Sequence, residues 1–231
     1  MTGRRTLGVL GGTFNPVHFG HLDAAQAARQ ALALHDVLLV PSHDPPHRAG
    51  ERVVSPWHRF ALVALAIAEL DGVEVSDIEM RRPGPSYTYD TLGRLAERGW
   101  TPSQLFFIIG SDAFAEIAKW HAYPAVLERA NFAVVARPGL SLDEALPADS
   151  AVRHRVRPTH QPPRPDEETG VYLVPARTRD VSSTNIRTRL ALGQPIDDLV
   201  PLPVQRHIRT HQLYERVDDL HGEDESRQGG R

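Results

Sequence analysis

The feature that most constrains this chain is GGTFNPVHFGH, residues 11–21, which follows the apolar run Leu7, Gly8, Val9, Leu10 and precedes an alanine-rich segment from Asp23 to Ala33. That order reads as strand, glycine turn and helix. Gly11 and Gly12 remove Cβ atoms where a strand end must turn sharply, so backbone N–H groups can approach a ligand closely. His18 and His21 then fall at i and i+3, on one face of the first helical turn. Two imidazoles at a helix N-terminus, beside orphan backbone donors and the positive end of the macrodipole, form a place that stabilises phosphate oxygens. The local physics points to nucleotide chemistry.

Competing phosphate motifs drop out. The only lysine in the chain is Lys119, far from any glycine turn, so there is no P-loop lysine. Adjacent glycines followed by His-Phe-Gly-His also lack the G-x-G-x-x-G spacing of a dinucleotide fingerprint. A bare H-x-x-H in a chain with 12 histidines would read as two surface residues or a weak metal site. The glycine pair, Thr13 and Pro16 before it favour the phosphate reading.

Downstream, strands are predicted at 37–40, 73–78, 105–110, 132–136 and 171–174 from β-branched and apolar runs. The run LFFIIG at 105–110 is the most apolar and is expected at the centre of the sheet. Between the strands, Ser55 and Pro56 start a helix with Trp57, Phe60, Val63, Ala64 and Ile67 as its apolar face. A second helix after the turn at 81–86 turns Leu92 and Leu95 inward and stops at Gly99. Further helices are predicted at 113–120, 124–129, 182–193 and 204–214, whereas proline-rich 147–170 reads as a surface loop. Strands alternating with helices predict an α/β fold, a doubly wound parallel sheet of Rossmann type. One domain is expected over 1–216, with a disordered tail at 217–231.

Composition excludes several classes. A formal net charge of −3 from 26 basic and 29 acidic residues gives no basic field for nucleic acid. Without cysteine there are no disulfides, thiolate nucleophiles or cysteine metal sites. His43 and His47 flank Pro45-Pro46, which prevents a helix, and no zinc site is expected there. The longest apolar stretch, 60–68, is about half a membrane span, and no signal-peptide h-region follows the N-terminus. The expected protein is cytoplasmic, with no membrane partner; composition admits a homo-oligomer without specifying one.

A second anion site is legible in VSSTNIR, residues 181–187, where Ser182, Ser183 and Thr184 stand at a helix start and Arg187 adds a fixed positive fork. With this in view, GGTFNPVHFGHL resembles the signature of the bacterial nicotinate mononucleotide adenylyltransferases, within the nucleotidyltransferase superfamily that carries H-x-G-H. VSSTNIR is similar to that family's second nucleotide motif. PSHDPPHR at 41–48, RRPGPSYTYDTL at 81–92 and FIIGSDAFAEIAKW at 107–120 resemble its acceptor and nucleotide segments. The resemblance implies AMP transfer from ATP to nicotinate mononucleotide, with Mg2+ accompanying the ATP and no protein metal site. It implies His18, His21 and Arg187 as catalytic residues. Gly11, Gly12, Thr13, Phe14, Gly110, Asp112, Ser183 and Thr184 are implied for the nucleotide, and Asn15, His47, Tyr87, Thr88 and Trp120 for the acceptor. Two alternatives stay open at this point: another phosphorylated acceptor such as phosphopantetheine, or a nucleotide-binding protein without turnover.

Overall fold

Seven parallel strands form one sheet in the computed structural model, which describes residues 5–46, 53–82, 84–136, 146–159 and 167–214. They are β1 (Leu7–Gly12), β2 (Asp36–Pro41), β3 (Val73–Val75), β4 (Leu105–Gly110), β5 (Asn131–Ala136), β6 (Val156–Arg157) and β7 (Val171–Pro175). Their order is β3-β2-β1-β4-β5-β7-β6, so the chain runs from β1 to one edge, then crosses back to β4 on the other side of β1. The switch point lies between β1 and β4, where doubly wound sheets place their ligand crevice. As expected from its apolar run, β4 is central.

Side-chain alternation on these strands feeds two cores. Leu10 on β1 and Phe106 and Ile108 on β4 pack with helices α1 (Phe19–Ala31), α2 (Pro56–Ile67), α6 (Ser183–Ala191) and α7 (Leu202–Thr210). Leu7, Val9, Leu105, Phe107 and Ile109 face the other way, onto α3 (Thr88–Glu97), α4 (Ser111–Ala115) and Val152 of α5 (Ser150–Arg153). Leu92 and Leu95 of α3 are buried as expected, and Gly99 takes φ +94° after that helix. Among the described residues no helix is long and apolar enough to cross a membrane.

Several expectations change. The face of α2 is rotated: Arg59, Leu62, Val63, Ala66 and Ile67 are buried, while Trp57 is 62% exposed. A periodicity count built on apolar residues passes over the arginine that anchors the buried stripe. The strand expected at 73–78 ends at Val75, and the expected helix 113–120 is broken into α4 and a 3-10 turn at Ile117–Lys119. The helix expected at 124–129 is a 3-10 turn at Ala125–Glu128, and α7 ends at Thr210. The expected loop 147–170 contains α5 and β6. Arg155 there is 7% exposed and bonds Thr169, with Glu168 at 2.6 Å, so its charge is spent on holding the segment to the sheet. The expected tail 217–231 and His47 lie outside the described residues.

Candidate active site

A difference in strand register opens the site. β1 stays paired with β2 as far as Gly12 opposite Pro41, and β4 with β5 as far as Gly110 opposite Val135. Between β1 and β4, however, pairing stops at Val9 opposite Phe107. Residues 10–12 and 108–110 therefore diverge, and both stretches line a cavity of about 540 Å³.

Gly11 and Gly12 are used differently from the expectation. Both remain in the extended strand, and the turn is taken by Phe14 at φ +49°. Space is what favours glycine. A Cβ on Gly12 would lie 3.1 Å from the Phe14 ring, and one on Gly11 would lie 3.3 Å from Phe107. The Phe14 ring is buried and stands edge-on to His21, 5.0 Å between centroids.

His18 is the N-cap of α1 and His21 its third residue, and their rings stack at 3.7 Å. The backbone N–H of His18 donates to His21 Nδ1 at 3.2 Å. Because an amide offers only a donor, that bond fixes Nδ1 as the acceptor and leaves Nε2 as the nitrogen that carries hydrogen. Both rings line the cavity. His18 is only 7% exposed, so it is a packed residue and not the surface imidazole that a helix start suggests.

Three elements brace this loop. The side chain of Arg59, 1% exposed, donates to the carbonyls of Val54 (2.9 Å), Thr13 (2.8 Å) and His43 (3.1 Å). Burial lowers its pKa, with Tyr214 and Glu79 opposing. From α6, Ser183 Oγ donates to the Pro16 carbonyl at 2.8 Å and Arg187 Nη1 to the Asn15 carbonyl at 2.9 Å. Ser182 caps α6 by accepting from the Asn185 N–H at 3.2 Å. Arg179 forks onto Asp23 at 3.0 and 3.1 Å and lies over the Phe19 ring. The N-termini of α1 and α6 are thereby held against one loop at the same end of the cavity, although the first N–H of α1, from Phe19, already donates to the Leu199 carbonyl at 3.0 Å and that of His21 to the His18 carbonyl at 2.9 Å.

The opposite end is aromatic. Trp120 stands edge-on to Phe107 at 5.9 Å, and Tyr87, the N-cap of α3, stacks on His121 at 4.2 Å. Ser86 uses its N–H on the Asp44 carbonyl and accepts from His43 N–H through its hydroxyl. The helix-start donors are therefore those from Tyr87 onward. Glu79 also lines this cavity, and its Oε1 accepts from Thr91 Oγ1 at 2.5 Å. Burial raises its pKa, against the opposing pull of hydrogen bonds from Thr91 and Ser86 and of Arg94 and Arg59.

Of the expected site residues, Gly11, Gly12, Thr13, His18, His21, Tyr87, Thr88, Gly110, Asp112, Trp120, Ser183 and Thr184 line this one cavity. Phe14, Asn15 and Arg187 stand behind the lining, Asn15 accepting from Val54 N–H at 3.2 Å. Ser42, Glu79, Thr91, His121 and Arg179 line the cavity without having been singled out, and Arg59 braces it. His121 had a signal, since it adjoins Trp120. Arg59 had none, because two of its three partner carbonyls, those of Thr13 and His43, lie far away in sequence.

The switch-point cleft with two helix starts at one end defines a mononucleotide-binding α/β protein. The cytidylyltransferase-like family model matches residues 9–189, and the chain belongs to that family. It is 39% identical to a probable nicotinate-nucleotide adenylyltransferase of Roseiflexus sp., covering 90% of this chain and 97% of the relative. Against the protein of that name from Pelobacter propionicus it is 40% identical over 90% and 97%. The fold is shared with Plasmodium falciparum nicotinic acid mononucleotide adenylyltransferase complexed with NaAD. There the TM-score is 0.70 at 18% identity, over 91% of this chain and 98% of that one.

Proposed function

We propose that this chain transfers the adenylyl group of ATP to nicotinate mononucleotide, releasing pyrophosphate and forming nicotinate adenine dinucleotide. The observation that supports it most is one continuous cavity, with imidazoles and two helix starts at one end and aromatic rings around a third helix start at the other. Relatives of this length carry that activity in their names.

The acceptor phosphate is itself an anionic nucleophile. One of its oxygens bonds to the α-phosphorus as the bond from that phosphorus to the bridging oxygen of the leaving pyrophosphate breaks. No general base is needed. What the protein supplies is position for two mutually repelling anions and donors for the charge that develops. His18 and His21 serve the α-phosphate, and the α6 start at Ser183 and Thr184 serves the β- and γ-phosphates. Arg187, which stands behind the lining with its guanidinium on the Asn15 carbonyl and Thr184 Oγ1, acts on the same oxygens through its fixed positive charge and by positioning that helix start. Gly110 and Asp112 adjoin the nucleotide ribose, and Trp120 and Tyr87 the pyridine ring.

Mg2+ carried on the triphosphate would supply charge neutralisation at the departing oxygens. The donor set fits such an ion, since Asp180 on the cavity wall beside α6 is available to its water ligands and phosphate supplies the rest. The test is pyrophosphate release by purified protein with ATP and, in parallel, nicotinate mononucleotide, its amide form and 4′-phosphopantetheine. Turnover fastest with the first is expected; preference for phosphopantetheine overturns the reading.

A further inference from the structure

On the far side of α2 from its core contacts with the sheet lies a group of side chains that nucleotidyl transfer does not use. His58 projects from α2, His207 from α7 and His211 from the residue that caps α7 at its C-terminus, four residues on and so over the same face. His58 Nδ1 lies 3.1 Å from His207 Nε2. Ring centroids are 5.4 Å apart for His58 and His207, 4.9 Å for His58 and His211, and 4.4 Å for His207 and His211. One nitrogen from each ring falls within 4.8 Å of the other two. None of the three lines the active-site cavity.

We propose that His58, His207 and His211 bind one zinc ion that clamps α7 to α2. Three nitrogens on a tetrahedral zinc, at bonds of about 2.0–2.1 Å, stand about 3.3 Å from one another. The His58–His207 pair is already at that spacing, and the third nitrogen reaches it by a modest ring rotation. The donor set selects the metal: three imidazoles and no carboxylate suit zinc and its later first-row neighbours and do not suit magnesium or calcium. The site is therefore distinct in chemistry from the metal that travels with ATP. Three protein ligands leave the fourth position to solvent, and His211 is exposed. The clamp bears on the active site through His58's neighbour, since Arg59 holds the Thr13 and His43 carbonyls.

The experiment uses the full chain without an affinity tag, stripped of metal by chelator and titrated with Zn2+. Its readouts are elemental analysis after dialysis, thermal unfolding and the visible absorption of Co2+ in place of zinc. Expected are one zinc per chain, four-coordinate cobalt bands, and a Tm raised by roughly 5–10 °C at a hundredfold excess of free zinc over its Kd. His58→Gln should lose all three signals. His211→Gln, at an exposed position that leaves folding intact, should lose them too. The His18→Ala/His21→Ala double variant should keep them. No stoichiometric zinc in the parent chain, zinc retained by His211→Gln, or zinc lost from the double variant overturns the proposal.

Discussion

The two ends of the cleft handle polar groups in opposite ways. At the end proposed for the phosphates, the guanidinium groups are held by partners within the protein: Arg59 and Arg187 bind the carbonyls of Thr13 and Asn15, and Arg179, which reaches the lining, is paired with Asp23. His18 and His21 at the start of α1, and Ser183 and Thr184 at the start of α6, line the cavity there. At the acceptor end the rings of Trp120, Tyr87 and His121 surround the start of α3, and a partly buried acid, Glu79, stands among them. The difference teaches that an anion site can spend its formal cations on holding its walls, with imidazoles and helix-start donors fixed in place by them. Such donors need no reorganisation when charge moves during reaction.

The sharpest way to break this comparison is to remove the imidazoles. His18→Ala and His21→Ala are each expected to lower kcat by 10²–10³, roughly 2.7–4 kcal/mol, as for other preorganised donors to a developing charge. Steady-state kinetics at saturating ATP measure this, and near-normal rates would move the chemistry elsewhere. Unlike a purely surface change, His21→Ala should also cost roughly 0.5–2 kcal/mol of stability, because His21 accepts the N-cap amide of α1.

Next comes the scaffolding. Arg59→Ala strips donors from three carbonyls at a site that is 1% exposed. A loss of roughly 2–4 kcal/mol is expected, about 4–16 °C in Tm. Thermal unfolding tests it. An unchanged Tm would mean that the loop holds itself, and the scaffolding half of the comparison would fall.

At the acceptor end the expected effects are smaller. The α3 start should prefer a carboxylate over a carboxamide, whose NH₂ would face donors and leave one unpaired. That penalty, roughly 1–3 kcal/mol, gives about 5- to 150-fold higher kcat/KM for nicotinate mononucleotide than for its amide. Trp120→Ala should weaken both equally, since a ring face does not distinguish them. Side-by-side kinetics decide it; a preference that disappears with the tryptophan would assign selectivity to the ring.

The smallest effect sharpens the role of Glu79. Its folded pKa is raised above the ordinary 4.5, so its contribution to stability is complete below that value and is lost as pH rises through the folded pKa. Glu79→Gln carries no such loss. The Tm difference, variant minus parent, should therefore climb with pH through that window and then level off. A difference that is flat across the window would show that the acid is not shifted.

Much of this was legible in residue order, for reasons visible at particular positions. β4 announces itself because five consecutive buried residues, from Leu105 to Ile109, leave no polar gap, and His18 and His21 because motif and helix start coincide. Arg59 was illegible: in PWHRF it reads as the polar side of a helix. Its interior place exists only because carbonyls 13, 43 and 54 converge on it. β6 was illegible for a different reason, since a two-residue strand shows no period and its neighbour Arg155 reads as solvent-facing until Glu168 and Thr169 are placed beside it. The glycine pair was legible as a requirement but not as to its cause. Crowding by the rings of Phe14 and Phe107, and not a left-handed turn, disfavours a Cβ there.

The early end of pairing between β1 and β4, at Val9 and Phe107, has a consequence for ancestry. A crevice made by main-chain register does not depend on which side chains border it. Substitutions along 79–91 or around residue 120 can exchange one small molecule for another while the gap keeps its width, and the phosphate end, on the opposite lip, is left untouched. A fold of this kind can change acceptors across its descendants without reinventing the donor half. That would let H-x-G-H persist where the remainder of the lining diverges.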